Sequence, residues 1–165
     1  MARLDGDAGT LTRPATVEDA ESIARVHATS WRETYGRLVD DPDTNPWFDV
    51  DRRIGMWRTS LEDGVFSTAV AEDPSGVVGF AAAQRAVERD AVRPEELAML
   101  YVLERAQGTG AGQALLDGVL GGRPASLWVA ADNPRAHAFY RRNRFTADGA
   151  TSSFEPLGAT VRLVR

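Results

Sequence analysis

The stretch Glu96-Leu-Ala-Met-Leu-Tyr-Val-Leu-Glu-Arg-Ala-Gln-Gly-Thr-Gly-Ala-Gly112 decides how the rest of the chain is read. Residues 97 to 103 are nearly all apolar, which suits a strand buried on both faces. Residues 110 to 120 instead space Ala111, Ala114, Leu115, Val119 and Leu120 at helical intervals. The period changes from strand to helix within one short polar loop. Gln107, Gly108, Thr109, Gly110, Ala111 and Gly112 therefore stand where unpaired N–H groups open a helix and the positive end of its dipole faces outward. Such a start binds phosphate or pyrophosphate. Glycines at 108, 110 and 112 carry no Cβ to hold a diphosphate off the backbone, and they tolerate the positive φ of a tight anion nest.

Composition narrows the chemistry. The chain has 165 residues, enough for one domain to bury about two thirds of its unfolded surface. It holds no cysteine, which excludes disulfides, thiolate catalysis and Cys-based metal sites. It also holds no lysine, which excludes Schiff-base chemistry and the phosphate-binding lysine of a P-loop. His27 and His137 are the only histidines, so no His-rich metal site is expected, and His27 falls in an apolar stripe that marks it as a core residue. The net charge of -5 disfavours nucleic acid as a partner, although Arg141, Arg142 and Arg144 could meet an anionic ligand. No window approaches the ~20 apolar residues of a membrane span, and the first residues lack a signal-peptide core, so a soluble cytoplasmic protein is expected.

Outward from the central stretch, residues 1–9 read as a flexible tail and residues 10–165 as one domain. Leu11 to Ala15 suits a first strand, and Thr16 with Asp19 a capping pair for a helix that Gly36 ends. Trp31, Glu33 and Tyr35 near that helix end offer aromatic faces and a carboxylate to a cationic amine. Residues 37 to 50, with two prolines and four aspartates, read as a mobile loop and a lid over substrate. The segment from Asp41 lacks the glycine and glutamate of a calcium loop. Asp51 to Leu61 predicts a second helix turning Ile54, Met56, Trp57 and Leu61 to the core. Val65 to Ala71 and Val77 to Gln84 predict a hairpin. Leu127 to Ala131 predicts a strand parallel to the central one, joined to it by the glycine helix. Asn133-Pro134 starts a helix running to about Arg142, and Arg144 to Ala147 and Thr151 to Val164 predict two final strands. The last of them could pair across a homodimer.

Asn133 and Tyr140 lie seven residues apart, nearly two helical turns, and so share a face. Both helix starts open at the same sheet edge, where a long ligand could touch both. Asp132 lies 20 residues after Gly112, as a ribose-binding acid would in a dinucleotide-binding oxidoreductase. Against that alternative, Leu115 stands where the third fingerprint glycine belongs.

With Gln107, Gly110 and Gly112 in place, preceded by Glu96-Leu-x-x-Leu-Tyr-Val102 and followed by Asn133-Pro-Arg-Ala-His-Ala-Phe-Tyr140 and Asn143-Arg-Phe145, the sequence resembles the GNAT superfamily of acetyl-CoA-dependent N-acyltransferases. The resemblance implies a mixed α/β fold: a mostly antiparallel central sheet with one splayed parallel pair, flanked by about four helices. It implies acetyl-CoA as cosubstrate, with backbone groups of Leu100, Tyr101 and Val102 holding the acetyl and pantetheine portions. Gln107, Gly108, Thr109, Gly110, Ala111, Gly112 and Gln113 would receive the pyrophosphate, and Asn133 a pantetheine amide. Tyr140 would be the general acid; a phenol of pKa ~10 can give the departing thiolate a proton or a hydrogen bond. Glu96 is the expected base, directly or through water, and Trp31, Glu33 and Tyr35 would line the pocket of the acceptor, a primary amine of a small molecule. A cationic amine or polyamine, a peptide N-terminus and an aminated antibiotic all fit. A noncatalytic acyl-CoA sensor on the same fold is a further alternative.

Overall fold

The computed structural model describes residues 9–165, so the tail expected over residues 1–9 lies almost wholly outside the described residues. Seven strands form one sheet: β1 (Leu11–Pro14), β2 (Ser67–Asp73), β3 (Gly76–Arg85), β4 (Glu95–Val102), β5 (Ala125–Ala130), β6 (Thr146–Phe154) and β7 (Gly158–Val164), in the order β1-β2-β3-β4-β5-β7-β6. Every neighbouring pair is antiparallel except β4 with β5. Four α-helices accompany the strands among the described residues: α1 (Ala20–Tyr35), α2 (Val50–Glu62), α3 (Ala111–Val119) and α4 (Pro134–Arg142). With a single parallel pair the sheet is not doubly wound, and the architecture expected of a dinucleotide-binding oxidoreductase is absent.

Each face of the sheet carries its own core. Ile23 and Ala24 of α1 and Trp57 of α2 pack with Val70, Phe80 and Ala82 on one side. Leu115, Leu116 and Val119 of α3 pack with Ala81, Leu97 and Leu127 on the other. The strand β4 feeds both layers in an unusual phase. Leu97 belongs to the α3 side while Met99 and Tyr101, at even spacing from it, belong to the α1 side. Ala98 causes the change: Ala83 pairs with Leu97 and Ala82 with Met99, which leaves Ala98 as a bulge without a partner on β3. A bulge adds one residue to one strand, reverses the alternation beyond it and bends the strand.

Several expectations need correction. The Thr16–Asp19 capping pair forms, Thr16 N–H donating to the Asp19 carboxylate at 2.8 Å, but it opens a 3₁₀ turn at Val17–Asp19 ahead of α1. Gly36 keeps a right-handed helical φ of -55° and leads into another 3₁₀ turn, so it ends α1 without the left-handed cap glycine usually supplies. Met56 is exposed; in α2 it lies one residue from the fully buried Trp57, about 100° around the helix and off the core face. The last hairpin turns at residues 155–157, not at 148–150, where Asp148-Gly149-Ala150 forms an irregularity inside β6. The final strand, β7, is bonded to β5 on one side and β6 on the other. Its hydrogen-bonding edges are therefore used, and the strand pairing expected to join two copies is closed to it.

Candidate active site

β4 and β5 pair only at Glu95 with Ala125 and Glu96 with Ser126. Beyond those two positions the strands diverge, β4 bent by its bulge and β5 held to β7 over five positions. The wedge opens into a cleft of about 890 Å³. It is walled by residues 97 to 102 of β4, residues 127 to 130 of β5, the glycine loop, one side of α4 and the end of α1. The backbone groups of Leu100, Tyr101 and Val102 that face β5 are consequently not used by a strand partner on that side.

The glycine loop arrives as a built turn. A short 3₁₀ segment, Glu104–Ala106, follows β4, and Gly108 and Gly110 take φ of +78° and +88°. Both lie in the left-handed region that other residues enter only with strain. Gly112 is an ordinary helical residue, and a Cβ there would meet Phe139 of α4 at 3.6 Å. Gln107, Gly108, Gly110, Gly112 and Gln113 line the cleft; Thr109 and Ala111 do not. The Thr109 hydroxyl donates to the Ala106 carbonyl at 2.7 Å, and Ala111 is buried in the α3 core. Gln107 Nε2 donates to the Val102 carbonyl at 3.1 Å, fastening the loop to the strand end. Arg135 and Arg142 also line the cleft and supply cationic charge on its α4 side, whereas Arg141 and Arg144 do not reach it. Only the basic run at 141 to 144 signalled this in the sequence; Arg135 was hidden between a proline and an alanine.

Asn133 caps α4, its Oδ1 accepting from Ala136 N–H at 3.2 Å, and its side chain also lies within reach of the Tyr35 phenol. Tyr140, on the same helix face, lines the cleft and is 8 % exposed. Burial raises its pKa well above that of a free phenol, and the nearby Tyr101 and Tyr35 phenols add to the effect. Burial likewise pushes Tyr101 up to about 12 and raises Tyr35. All three hydroxyls hold their protons at neutral pH. Glu96 lies at the closed end of the wedge, outside the cleft lining, where its Oε1 accepts from Gln84 Nε2 at 3.3 Å. Burial raises its pKa, opposed by the Gln84 hydrogen bond and assisted by the Glu88 charge.

At the α1 end the cleft is lined by Ser30, Glu33, Thr34 and Tyr35. Trp31 is not among them. It is 6 % exposed and sits behind the wall, stacked 5.5 Å from Trp47 and edge-on to Tyr35 and Phe154. Residues 31, 33 and 35 cannot share one face of a helix, because alternate residues are turned by about 200°. Residues 30, 33 and 34 can, and that spacing was the available signal for Ser30 and Thr34. Glu33 Oε2 accepts from Glu104 N–H at 3.0 Å, tying α1 to the end of β4. No residue of the loop 37–50 lines the cleft. Three of its four aspartates are engaged: Asp43 pairs with Arg32, Asp41 accepts from Asp43 N–H, and Asp49 caps α2.

His27 is buried, as its stripe predicted. Its Nδ1 accepts from Trp57 Nε1 at 3.1 Å, and burial together with the Arg53 charge lowers its pKa to about 3. Among the described residues no cluster of three or more His, Asp or Glu side chains is placed to hold a metal, and no helix is long and apolar enough to cross a membrane.

Residues 64–147 match the family described as the acetyltransferase (GNAT) domain. The chain belongs to the GNAT acetyltransferase family. This is a family whose cosubstrate is acetyl-CoA, and the matched residues run from β2 to the start of β6, enclosing the whole wedge. The chain is 36 % identical over 105 residues to an uncharacterised N-acetyltransferase, YuaI, of Bacillus subtilis; the match covers 63 % of this chain and 58 % of that relative. Among solved structures, the PaiA N-acetyltransferase of Thermoplasma acidophilum in complex with coenzyme A is similar with a TM-score of 0.65 and 19 % identity, over 93 % of this chain and 98 % of that one. An acetyltransferase of Corynebacterium glutamicum related to the histone acetyltransferase HPA2 is similar with a TM-score of 0.69 and 22 % identity, over 94 % of each chain. At those identities the likeness shows the GNAT fold.

Proposed function

We propose that this GNAT protein transfers the acetyl group of acetyl-CoA to a primary amine of a small molecule, both substrates bound together. The observation that carries the reading is the wedge between β4 and β5, with a left-handed glycine turn at one side and the buried phenol of Tyr140 on the helix opposite. The β5-facing backbone edge of the segment Leu100, Tyr101 and Val102, which has no strand partner, suits the amide-rich arm of the cofactor. The loop at 107 to 113 and the arginines at 135 and 142 suit its diphosphate.

In the reaction the amine nitrogen attacks the thioester carbonyl, the C–S bond breaks, and the ammonium proton formed on nitrogen is lost. Tyr140 retains its proton near neutral pH, so it can donate a hydrogen bond or a proton to the departing thiolate. Glu96 is the carboxylate with a raised pKa at the base of β4, a property suited to a general base. Because it stands outside the cleft, it would act through water. Asn133 bridges the cap of α4 and the Tyr35 side of the cleft, where a pantetheine amide would pass. Isothermal calorimetry with acetyl-CoA, followed by thiol-release assays across an amine panel, tests the reading. Micromolar binding with turnover of at least one amine is expected; absence of binding at millimolar acetyl-CoA overturns it.

A further inference from the structure

Resting on that reading, the α1 end of the cleft specifies the acceptor further. Besides the Glu33 carboxylate, its polar groups are hydroxyls that can donate. Ser30 lines the cleft at 3 % exposure and its Oγ has no hydrogen-bond partner. The Trp31 indole N–H, equally buried, reaches toward the Tyr101 phenol without closing a hydrogen bond. The phenols of Tyr35, Tyr101 and Tyr140 complete the surface. A buried hydroxyl left without a partner beside a ligand cavity marks a place where the ligand supplies the missing hydrogen bond.

Behind this wall lies a positive charge. Arg53 is 7 % exposed and forms no ion pair among the described residues. Its guanidinium donates to the Trp47 carbonyl, and Nη1 lies 3.0 and 2.9 Å from the two ring nitrogens of His27. His27 in turn stacks on Tyr101 at 5.2 Å, which places the cation one aromatic ring behind the cleft wall. The counterbalancing acids are elsewhere. Glu33 and Glu104 lie on exposed parts of the rim, the first tied to the backbone of the second, and the aspartates at 41, 43 and 49 are engaged by the Asp43 N–H, by Arg32 and by the start of α2. Glu33 keeps an acid at the rim of this end, and deeper in, where Ser30 and Tyr101 stand before Arg53, the cleft suits an oxyanion.

We infer that the acceptor amine carries a carboxylate on the same small molecule, as in an amino acid, with the carboxylate received by the Ser30 and Tyr101 hydroxyls in front of Arg53. The protein thereby selects amino acids over the amines they would become on losing carbon dioxide. The test is a thiol-release screen with acetyl-CoA over L-amino acids, each matched with its α-amide and its decarboxylated amine. At least one amino acid is expected to show kcat/KM tenfold or more above both matched compounds. Ser30→Ala should shrink that ratio at least threefold, mainly through KM, and Arg53→Met should do the same if it folds. Equal or better turnover of the decarboxylated amines, or no turnover of any amino acid by protein that binds acetyl-CoA in calorimetry, overturns the inference while leaving the acetyl-transfer reading in place. Failure to bind acetyl-CoA removes both.

Discussion

At the scale of single residues, three groups with displaced pKa values make separable predictions. Tyr140 holds its proton because it is buried beside two other phenols, and its hydroxyl is the one that the departing sulfur would need. Tyr140→Phe removes one oxygen from a packed ring, so turnover should fall at least a hundredfold while the acetyl-CoA dissociation constant changes less than about threefold. Steady-state kinetics and calorimetry on the same preparation check it, and unchanged kcat would remove the residue from the chemistry. Glu96 is expected to act earlier, on the amine. Glu96→Gln should lower kcat/KM most at the acidic end of the pH profile, where the remaining route depends on amine already neutral in solution. His27 concerns stability. The unfolded chain takes up a proton near pH 6.5 that the folded chain refuses until about pH 3. Its contribution is complete above pH 6.5 and is lost as the pH falls through that window, about 2 kcal/mol between pH 7 and pH 5. Urea denaturation at both pH values should show this loss, and His27→Gln should flatten it while keeping an acceptor for the Trp57 N–H.

At the scale of elements, the two helices that open on the cleft end and begin on left-handed residues, one suited to that role and one not. Gly110 caps α3 at φ +88° with open space where a Cβ would stand, so Gly110→Ala brings backbone strain and no clash. It should cost about 1–2 kcal/mol and raise the KM for acetyl-CoA by distorting the loop. Arg144, just past α4, takes φ +65° with a side chain that does not favour it, while its N–H donates to the Arg141 carbonyl at 3.1 Å. Arg144→Gly should therefore stabilise the chain by about 0.5–1 kcal/mol, a rise in Tm of roughly 1–4 °C. Thermal denaturation of the two variants side by side reads both signs, and a shared sign would contradict the backbone explanation.

At the scale of the whole molecule, the sheet is two antiparallel blocks, β1-β2-β3-β4 and β5-β7-β6, joined by a parallel seam two residue pairs long. The seam is reinforced where it closes: Arg123 pairs with Glu95 at 2.6 Å, and Arg165 donates to the Arg123 carbonyl at 3.1 Å. Beyond it the blocks share one core cluster, in which Leu97 of β4 and Leu127 of β5 join Leu115 of α3. A ligand that fills the wedge bridges both blocks, so acetyl-CoA at a hundred times its dissociation constant should add about 2.7 kcal/mol and raise Tm by roughly 5–10 °C. Differential scanning fluorimetry with acetyl-CoA and with adenosine diphosphate alone would separate bridging from binding at the glycine loop.

What the sequence by itself determined were features of short range and regular period. The apolar run before Gly108, the alternate glycines, the Asn133-Pro134 cap and the seven-residue spacing to Tyr140 depend on a few consecutive residues, and they located the β4-α3-β5 unit, the hairpin and the family. The tertiary structure alone decided matters in which distant segments compete for one side chain. Trp31 looked like pocket lining, but Trp47 and Phe154 cover it, and its neighbour Ser30 takes the cleft instead. The bulge at Ala98, which sets the faces of Met99 and Tyr101, has no sequence mark because any small residue accommodates it. The four aspartates of residues 37–50 read as substrate-facing charge, yet Asp43 and Asp49 are committed to Arg32 and to the start of α2. Arg53 carried no signal at all. Its meaning lies in the absence of an opposing carboxylate among the described residues, a feature of how α1, α2 and β4 pack together around it.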